Sequence, residues 1–483
     1  MTTAAPEQQN QATRDEKDSL GVRQIPADAY YGVQALRGSE NFPISGVTPN
    51  QAYPEAIRAF GWIKKAAAKA NGELGLIPQD YADAICKACD ELITGQYNDQ
   101  YIVDVYQGGT GTSNHMNTNE ILANRATEFL GGQKGDYKVN PNDHVNYGQS
   151  TNDVTPTVMR LTFLSLHGPL MESLHQFRDS LLKKADEFKD VLIAGRTHMQ
   201  DAVPLTLGQQ FGAYGHAIAD AADNVEHAIQ RLHMISLGGS ALGTGLNTHA
   251  KYRETVTKYL AEYSGFPLKQ HNDYFQATSS FGHFSDYSAA LRSVAIELEK
   301  IAHDLKLYSC GPKTGIAEIT LPTKQPGSSI MPGKINPIYP ELMDQISYIV
   351  QGNDLTINLG AQNGQWQLNV MMPTILLKMV ESQRIITNSF KVFSTECIDD
   401  ITANQDIATH RIENSCVLLT ALNPHIGYNA AADIAKKVLA EGKSIQEVAL
   451  SMNLKDGDGN PIDQARLDDI LSVDNMTAPP KQS

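Results

Sequence analysis

Residues 283–310 read HFSDYSAALRSVAIELEKIAHDLKLYSC, and this stretch decides the fold class. It contains neither proline nor glycine, the two residues that most often interrupt a helix. Its apolar side chains recur every three or four residues, at Leu291, Val294, Leu298, Ile301, Leu305 and Tyr308. That spacing places them along one face, so the sequence predicts a single long helix that packs lengthwise against other helices.

Two further stretches carry the same period. The first places apolar residues at Leu170, Leu174, Phe177, Leu181 and Phe188, and the second at Phe211, Tyr214, Ile218, Val225, Ile229 and Leu232. Long, nearly parallel helices of this kind pack as a bundle. We therefore predict a mainly all-α protein with a central long-helix bundle, whose alanine- and leucine-bearing flanks pack against other copies of the chain.

The distribution of helical patterns and helix-breaking residues along the chain predicts three regions. Residues 1–150 mix short helical patterns with many Gly, Asn and Pro residues and form an N-terminal, mostly helical domain. Its polar start, residues 1–18, lacks the apolar region of a secretory signal and is interpreted as a disordered leader. Residues 151–403 form the long-helix bundle, and residues 404–483 form a small C-terminal helical domain.

The composition of the chain limits the classes of partner that it can bind. The chain of 483 residues has a formal net charge of −15, which disfavours nucleic acid and anionic membranes as partners. No apolar run approaches the roughly 20 residues that a membrane span needs. The five cysteines are scattered, and the pair Cys86 and Cys89 lies in a helical pattern rather than a zinc site. These features predict a cytoplasmic protein with reduced thiols.

The segment 327–337, GSSIMPGKINP, combines two prolines and two glycines with two serines, a lysine and an asparagine. Such a stretch forms neither a helix nor a central strand. A loop this rich in donors is suited to hold an anion. A serine in it is a poor base unless its oxyanion is stabilised, and the loop's own amides and Lys334 are candidates for that role.

Three other polar segments lie between the predicted helices. Residues 107–119 are rich in glycine and threonine, which allows backbone amides to approach a ligand closely. Residues 144–153 precede a long helix, so Ser150 to Asp153 contain a helix cap, which is compatible with anion binding at the same helix start. Residues 195–204 carry a lone histidine, which taken alone is more often a structural hydrogen-bonding residue than a catalyst.

Together, the four segments resemble the aspartase/fumarase superfamily in content, order and spacing over nearly the whole chain. Residues 25–34, 243–247 and 352–354 also resemble that family, and the chain is identified as a member. The resemblance implies elimination of a small group β to a carboxylate, with release of fumarate. It also implies a homotetramer with composite active sites, a small dicarboxylate substrate, and no required metal or organic cofactor, although divalent cations stimulate some relatives.

The resemblance also assigns roles to individual residues. Ser328 is implied to be the catalytic base, and Lys334 and Asn336 are implied to hold a substrate carboxylate. His198 is implied to act with Glu341 as its acidic partner. The remaining substrate-binding residues that the family pattern implies are Thr112, Ser150, Thr151, Asn152, Thr197 and Ser329.

Local motifs resemble the ammonia-lyase branch of the family more than the hydratase branch. These motifs are residues 103–112, 149–152 and 364–371. They imply conversion of L-aspartate to fumarate and ammonia. A class II fumarate hydratase acting on L-malate is the alternative, and a non-catalytic structural relative is a remote one.

Several positions depart from the ammonia-lyase pattern, among them Cys310 in place of a common Ser and Lys313 in place of a common Arg. His115 stands where the family commonly has Asn, and Gln362 and Met372 stand where Glu is usual. His115 matters most because it lies three residues from Thr112, in a segment that forms the pocket. The open interpretations are altered recognition of substrate or amine, an altered pH dependence, and a tolerated change behind the pocket.

Overall fold

Long α-helices make up most of the chain in the computed structural model, which describes residues 12–477. The α-helices, in chain order, are α1 Val33–Asn41, α2 Pro49–Ala52, α3 Pro54–Glu73, α4 Gln79–Ile93, α5 Thr112–Phe129, α6 Thr151–Glu187, α7 Leu207–Ile229, α8 Tyr252–Ser264, α9 Tyr274–Ser279, α10 Gly282–Tyr308, α11 Ile338–Gln362, α12 Met372–Glu396, α13 Gln405–Glu413, α14 Leu419–Ile426, α15 Tyr428–Glu441, α16 Ile445–Ser451, α17 Gln464–Ile470 and α18 Val473–Thr477. None of the helices in this range has the length and apolar content needed to cross a membrane.

The strands are short and pair two by two. They are β1 Thr13–Asp18, β2 Gly21–Pro26, β3 Leu192–Thr197, β4 Gln200–Thr206, β5 Met234–Ile235, β6 Lys269–Gln270, β7 Ile319–Thr320 and β8 Thr402–Ala403. The pairs β1–β2, β3–β4 and β7–β8 are antiparallel, and β5–β6 is parallel. Sheets this small do not form a core, which leaves helix packing to stabilise the fold.

One compact unit combines the described part of residues 1–171 with residues 224–293 and 348–386. In it, α3 packs against α4 and α8, and parts of α6, α10, α11 and α12 pack beside one another. The rings of Phe163 on α6 and Phe284 on α10 meet edge to face, with centroids 5.6 Å apart. These contacts bury the apolar faces that the sequence period predicts.

Polar groups also join the helices inside this unit. The Asp354 carboxylate on α11 accepts hydrogen bonds from Ser288 at 2.6 Å and Arg292 at 2.9 Å, both on α10. Gln383 on α12 donates to the Phe163 carbonyl oxygen at 3.0 Å. Because buried polar groups are costly when unpaired, such bonds favour one register between neighbouring helices.

The second unit combines residues 172–223 and 294–347 with the described part of residues 387–483. The rings of Phe177 on α6 and Phe390 on α12 stack with centroids 4.7 Å apart and planes 7° apart. Helices α13 to α17 bury a separate apolar cluster that includes Ile412, Leu422, Ile434, Val448, Leu467 and Ile470. Ser444 and Glu447 form a capping box that starts α16.

The predicted all-α class and long-helix bundle are confirmed, and the three periodic stretches lie on the long helices α6, α7 and α10, except that Phe188 follows the end of α6 and Leu232 lies in the 3-10 turn after α7. The boundaries predicted at residues 150 and 403 stay predictions. The predicted leader is wrong for Thr13–Asp18, which form β1 against β2. Arg14 stabilises this strand by donating to the carbonyl oxygens of Pro26, Ala29 and Tyr31. Residues 1–11 lie outside the described range.

Close packing of α7 against the end of α6 generates a stability prediction. A Cβ atom on Gly208 would lie 2.4 Å from the Ala185 carbonyl oxygen and 2.6 Å from Lys189 Cα, both backbone atoms that cannot rotate away. Gly208→Ala should therefore destabilise the protein by about 1–3 kcal/mol. The effect is measured as a lower midpoint of thermal unfolding.

Gly212, one turn further along α7, provides a matched control. Its Cβ would meet only the Ala185 Cβ atom, at 3.7 Å, which is an ordinary contact. Gly212→Ala should keep or raise the unfolding midpoint, because alanine stabilises a helix interior by about 1 kcal/mol relative to glycine. Equal midpoints for the two variants would contradict the proposed backbone clash at Gly208.

Candidate active site

The loop of residues 327–337 is closed at its base by a hydrogen bond. Asn336 Nδ2 donates to the Gly327 carbonyl oxygen at 2.5 Å. A Cβ atom on Gly327 would lie 2.1 Å from the Lys334 carbonyl oxygen, so only glycine fits at this position. This neck of Gly327 and Asn336 holds the two ends of the loop together. The side chain of Ile330 at the tip is 82% exposed.

Ser328 lies just inside the neck. The backbone N–H groups of Ile330 and Met331 donate to Ser328 Oγ at 3.3 and 2.9 Å. Donors fixed around an oxygen stabilise negative charge on it, so both amides favour the alkoxide form of the serine. The sequence predicts loop amides in this role, and the structure places two of them on the oxygen.

Ser329 and Lys334 lie on the exposed side of the same loop. Within residues 12–477, the Lys334 ammonium group forms neither an ion pair nor a hydrogen bond. An unpaired cation on the same loop as two serines is suited to meet an anionic ligand. The structure thus brings four predicted residues together in one loop: Ser328, Ser329, Lys334 and Asn336.

A second group of predicted residues meets in the first unit, where α5 and α6 begin. Thr112 is the first residue of α5 and Thr151 the first of α6, and their hydroxyl oxygens are 3.3 Å apart. The Thr112 hydroxyl also donates to the Gly109 carbonyl oxygen at 2.7 Å. Two helix N-termini side by side concentrate free N–H groups and positive helix-dipole ends, which favours an anion.

Ser150, Asn152 and Asp153 hold the start of α6 in place. Asp153 accepts hydrogen bonds from the backbone N–H groups of Ser150, Gly238 and Ser240, each at 2.9 Å. Asn152 Nδ2 donates to the Ala241 carbonyl oxygen at 2.7 Å. The predicted cap is therefore present, and it also joins α6 to the glycine-rich segment after residue 236.

Behind these hydroxyl groups lies a buried polar network centred on His115. The ring nitrogen Nδ1 is 2.9 Å from Thr151 Oγ1, and Nε2 is 2.7 Å from Lys64 Nζ. Lys64 also donates to Asn146 Oδ1 at 3.0 Å and to Gln149 Oε1 at 2.9 Å. Both Lys64 and His115 are almost fully buried. A chain of hydrogen bonds therefore runs from a buried lysine to the Thr151 hydroxyl at the start of α6.

Burial shifts the protonation of this network. It lowers the pKa of Lys64 to about 7, against the favourable charge of Asp153. Burial, together with the charge of Lys64, also lowers the pKa of His115 well below its ordinary value. The imidazole is therefore neutral at physiological pH. Burial raises the pKa of Asp153 to about 6, although the hydrogen bonds that it accepts from backbone N–H groups lower that pKa.

Thr197 and His198 lie at the turn of the β3–β4 hairpin. Thr197 pairs with Gln200, and His198 and Met199 between them have φ values of +53° and +62°. These angles match a hairpin turn that usually selects asparagine and glycine, so two larger residues at the turn indicate a functional requirement. The hairpin contributes to a cavity of about 520 Å³ lined by residues that include His198, Gln210, Lys300, Asp304 and Tyr308.

Glu341 lies in the first turn of α11, where it accepts a hydrogen bond from Gln345 at 3.4 Å. In the described chain, residues 12–477, no hydrogen bond or ion pair joins it to His198. The predicted pairing of these two residues therefore stays a prediction.

Sequence reasoning missed Lys64, Asn146 and Gln149 as members of the site. A signal for Lys64 exists, because it lies four residues from Phe60 and three from Ala67 on the buried face of α3. A lysine on an apolar helix face requires polar partners.

Comparison with known proteins places the chain in a family. A family model described as Lyase matches residues 21–352, and one described as Fumarase C C-terminus matches residues 418–478. An aspartate ammonia-lyase from Bacillus sp is 45% identical over 471 residues, which cover 97% of this chain and 98% of the relative. The chain belongs to the aspartase/fumarase superfamily.

Solved structures of superfamily proteins share this fold. A fumarate lyase:delta crystallin from Brucella melitensis, bound to cobalt, matches with a TM-score of 0.93 and 43% identity, covering 97% of this chain and 100% of that one. A class II fumarase from Schistosoma mansoni matches with a TM-score of 0.89 and 32% identity over the same shares. The superfamily and fold predicted from the motifs are therefore confirmed. Among residues 12–477, no three His, Cys, Asp or Glu side chains are grouped as metal ligands.

The lowered pKa of Lys64 generates a prediction on stability and pH. Because its folded-state pKa is about 7 and its ordinary value is 10.5, the unfolded chain binds more protons at this site between those values. The free energy of unfolding should rise with pH over that range by up to about 1.4 kcal/mol per unit, and this gain is lost progressively as the pH falls from 10.5 to about 7. Lys64→Met removes the dependence, so its stability deficit relative to wild type should grow with pH.

Urea unfolding at a fixed protein concentration, repeated across this pH range, measures the difference. Lys65→Met is the matched control, because it removes a positive charge from the same helix at a residue paired with Asp90 near the surface. A constant difference between wild type and Lys64→Met at every pH would show that Lys64 does not titrate in this range.

Proposed function

We propose that the chain is an aspartate ammonia-lyase, which converts L-aspartate reversibly to fumarate and ammonia. The observation that carries this proposal is the 45% identity to an aspartate ammonia-lyase over 97% of the chain. The fold alone does not separate the ammonia-lyase from the hydratase, because a class II fumarase has it too. That fumarase is only 32% identical, and motifs such as residues 149–152 resemble the ammonia-lyase version.

In the proposed mechanism, Ser328 is the base. Its alkoxide, stabilised by the amides of Ile330 and Met331, takes a proton from Cβ of the substrate. The electron pair of the broken C–H bond moves onto the adjacent carboxylate, which becomes a dianionic aci-carboxylate. Lys334 and Asn336 hold that carboxylate, and the Lys334 ammonium group compensates the added charge. Ser329 donates a further hydrogen bond.

Collapse of the aci-carboxylate completes the elimination. The electron pair returns to form the Cα–Cβ double bond, and the Cα–N bond breaks. The amine is bound as an ammonium group, so the pair that leaves with nitrogen gives neutral ammonia and needs no separate acid. Each developing charge meets a protein group, and we propose that neither an organic cofactor nor a metal ion is required. Rates measured with EDTA and with added Mg²⁺ test that part of the proposal.

The remaining predicted residues are proposed to hold the rest of the substrate. Thr112 and Thr151 at the starts of α5 and α6, with Ser150 and Asn152, provide hydroxyl and amide donors for the second carboxylate. Thr197 and His198 contribute from the hairpin turn. His198 acts with Glu341, which would orient the imidazole and its proton.

We further propose that the protein is a cytoplasmic homotetramer with composite active sites. Apolar side chains remain exposed along α11, and an exposed apolar row on a long helix favours association with another copy. They are Leu342, Tyr348, Ile349, Leu355 and Leu359. His198 and Glu341 are not bonded to each other within the described residues. We therefore propose that the His198 of one subunit meets the Glu341 of another. All five cysteines are free thiols, which fits a reducing compartment.

Fumarate absorbance distinguishes the two family reactions. The purified protein is given L-aspartate and L-malate in separate cuvettes. Aspartate should give fumarate and malate should not. Fumarate from malate alone would replace the proposal with the hydratase, and fumarate from neither substrate would revive a structural role or indicate another leaving group.

Replacing the proposed base gives the most direct mechanistic test. Ser328→Ala should lower kcat for L-aspartate by about 10³-fold or more, because no other group accepts the Cβ proton. Thr323→Ala, an exposed hydroxyl in the approach to the loop, is the matched control and should retain kcat. Activity near wild type in a folded Ser328→Ala protein would remove Ser328 as the base.

Mixed subunits test the composite site. His198→Ala and Ser328→Ala should each be nearly inactive alone. If the two residues of one site come from different subunits, co-expressed variants with separate tags should regain activity in purified mixed oligomers. Failure to regain activity in oligomers shown to contain both variants would place the two residues of each site on one subunit.

A further inference from the structure

The network around Lys64 fixes the direction of each hydrogen bond. The side-chain nitrogen Nδ2 of Asn146 donates to the backbone carbonyl oxygen of Gln149 at 3.3 Å. The side-chain nitrogen Nε2 of Gln149 donates to the backbone carbonyl oxygen of Val145 at 3.1 Å. With both nitrogens used in this way, the two amide oxygens face Lys64. Below a pH of about 7, where Lys64 is protonated, its ammonium group therefore donates two of its three protons to Asn146 and Gln149 and the third to His115 Nε2.

This pattern determines the tautomer of His115. Since Nε2 accepts from Lys64, the single N–H of the neutral ring lies on Nδ1. Nδ1 is 2.9 Å from Thr151 Oγ1, so it donates to that oxygen. Phe60 stacks on the ring with planes 15° apart, which holds the imidazole in this orientation.

The tautomer in turn orients the Thr151 hydroxyl. Its oxygen accepts from His115, so its own proton points away from the imidazole. Thr112 donates its proton to the Gly109 carbonyl oxygen at 2.7 Å, and its oxygen lies 3.3 Å from Thr151. Because the Thr112 proton is used in this way, the Thr112 oxygen can accept the Thr151 proton, and a carboxylate bound at the junction of the two helix N-termini would receive that proton in its place.

We propose that His115 is a positioning residue, which relays the Lys64 ammonium charge to Thr151 and keeps the Thr151 hydroxyl as a donor to the substrate carboxylate. The inference rests on the proposed function, because that assigns Thr151 to substrate binding. It makes His115 part of the affinity for the carboxylate rather than part of the chemical step.

Succinate binding tests the relay without turnover. Calorimetric titrations, at a pH below about 7 so that Lys64 is protonated, use the Ser328→Ala protein as the reference and add one change at a time. His115→Phe keeps an aromatic ring against Phe60 but removes both hydrogen bonds, and should weaken succinate binding about tenfold. His115→Gln is the matched rescue variant. Its amide accepts from Lys64 and donates to Thr151, so affinity should stay within about twofold of the reference.

A double-mutant cycle separates the relay from a general packing role. Thr151→Val alone should weaken succinate binding, and adding His115→Phe to it should cause no further loss, because both changes remove the same donor. In the otherwise unchanged enzyme, His115→Phe should raise KM for L-aspartate while kcat changes little. The proposal would be overturned if the double variant lost affinity by the product of the two single losses. It would also be overturned if His115→Phe and His115→Gln lost equal affinity for succinate.

The outcomes stay interpretable if a variant misfolds or the proposed reaction is wrong. Circular dichroism and the thermal midpoint establish folding, and His115→Asn replaces His115→Phe if the latter does not fold. The shorter Asn amide cannot reach both partners and should also weaken binding. Wild-type turnover of aspartate tests the proposed function separately. If the wild type does not turn over aspartate but the variants bind succinate as predicted, the proposed function is wrong and the relay stands. If the wild type turns over aspartate but the variants do not bind succinate as predicted, the relay is wrong and the proposed function stands.

Discussion

The first turn of an α-helix leaves four backbone N–H groups without helical acceptors, and the candidate site follows from how this protein meets that requirement. At the start of α6, Asp153 accepts the Ser150 N–H group, while Thr151 faces Thr112 at the start of α5. The Asp153 carboxylate completes the helix start, and the neighbouring hydroxyl groups of Thr112 and Thr151 are the groups suited to hold a carboxylate. Capping and the proposed ligand binding are therefore performed by adjacent side chains at the same helix start.

A second physical requirement concerns charge. The chain carries a formal net charge of −15, yet the proposed substrate is a dicarboxylate. Attraction must come from positive groups placed locally, since the overall field of the protein opposes binding. The structure provides them in two forms. Lys334 is an exposed ammonium group on a loop, and Lys64 is a buried lysine, protonated below a pH of about 7, that we propose acts through His115. The buried lysine is shielded from bulk water, so its influence on a neighbouring hydrogen bond is stronger than that of a surface charge.

The sequence was sufficient for features that depend on local pattern. The long helices followed from the three- and four-residue spacing of residues such as Leu291 and Leu298, and the family followed from motifs such as the loop of residues 327–337. The contacts of Lys64 could not be predicted, because its partners come from distant segments and a charged residue on a helix is usually solvated. Strand β1 was missed for a related reason. Its polar sequence has little intrinsic strand preference, and bonds from Arg14 to carbonyl oxygens farther along the chain stabilise it.

The neck of Gly327 and Asn336 has a consequence for how this protein can change over evolutionary time. Since the hydrogen bond at the neck joins the two ends of the loop, the anchoring of the loop does not depend on the exposed side chains at its tip. Substitutions at exposed tip positions such as Ile330 can accumulate without altering the bundle that carries the loop. Selection for a new substrate can therefore act on the tip of the loop while Ser328, Lys334 and the helical scaffold are retained.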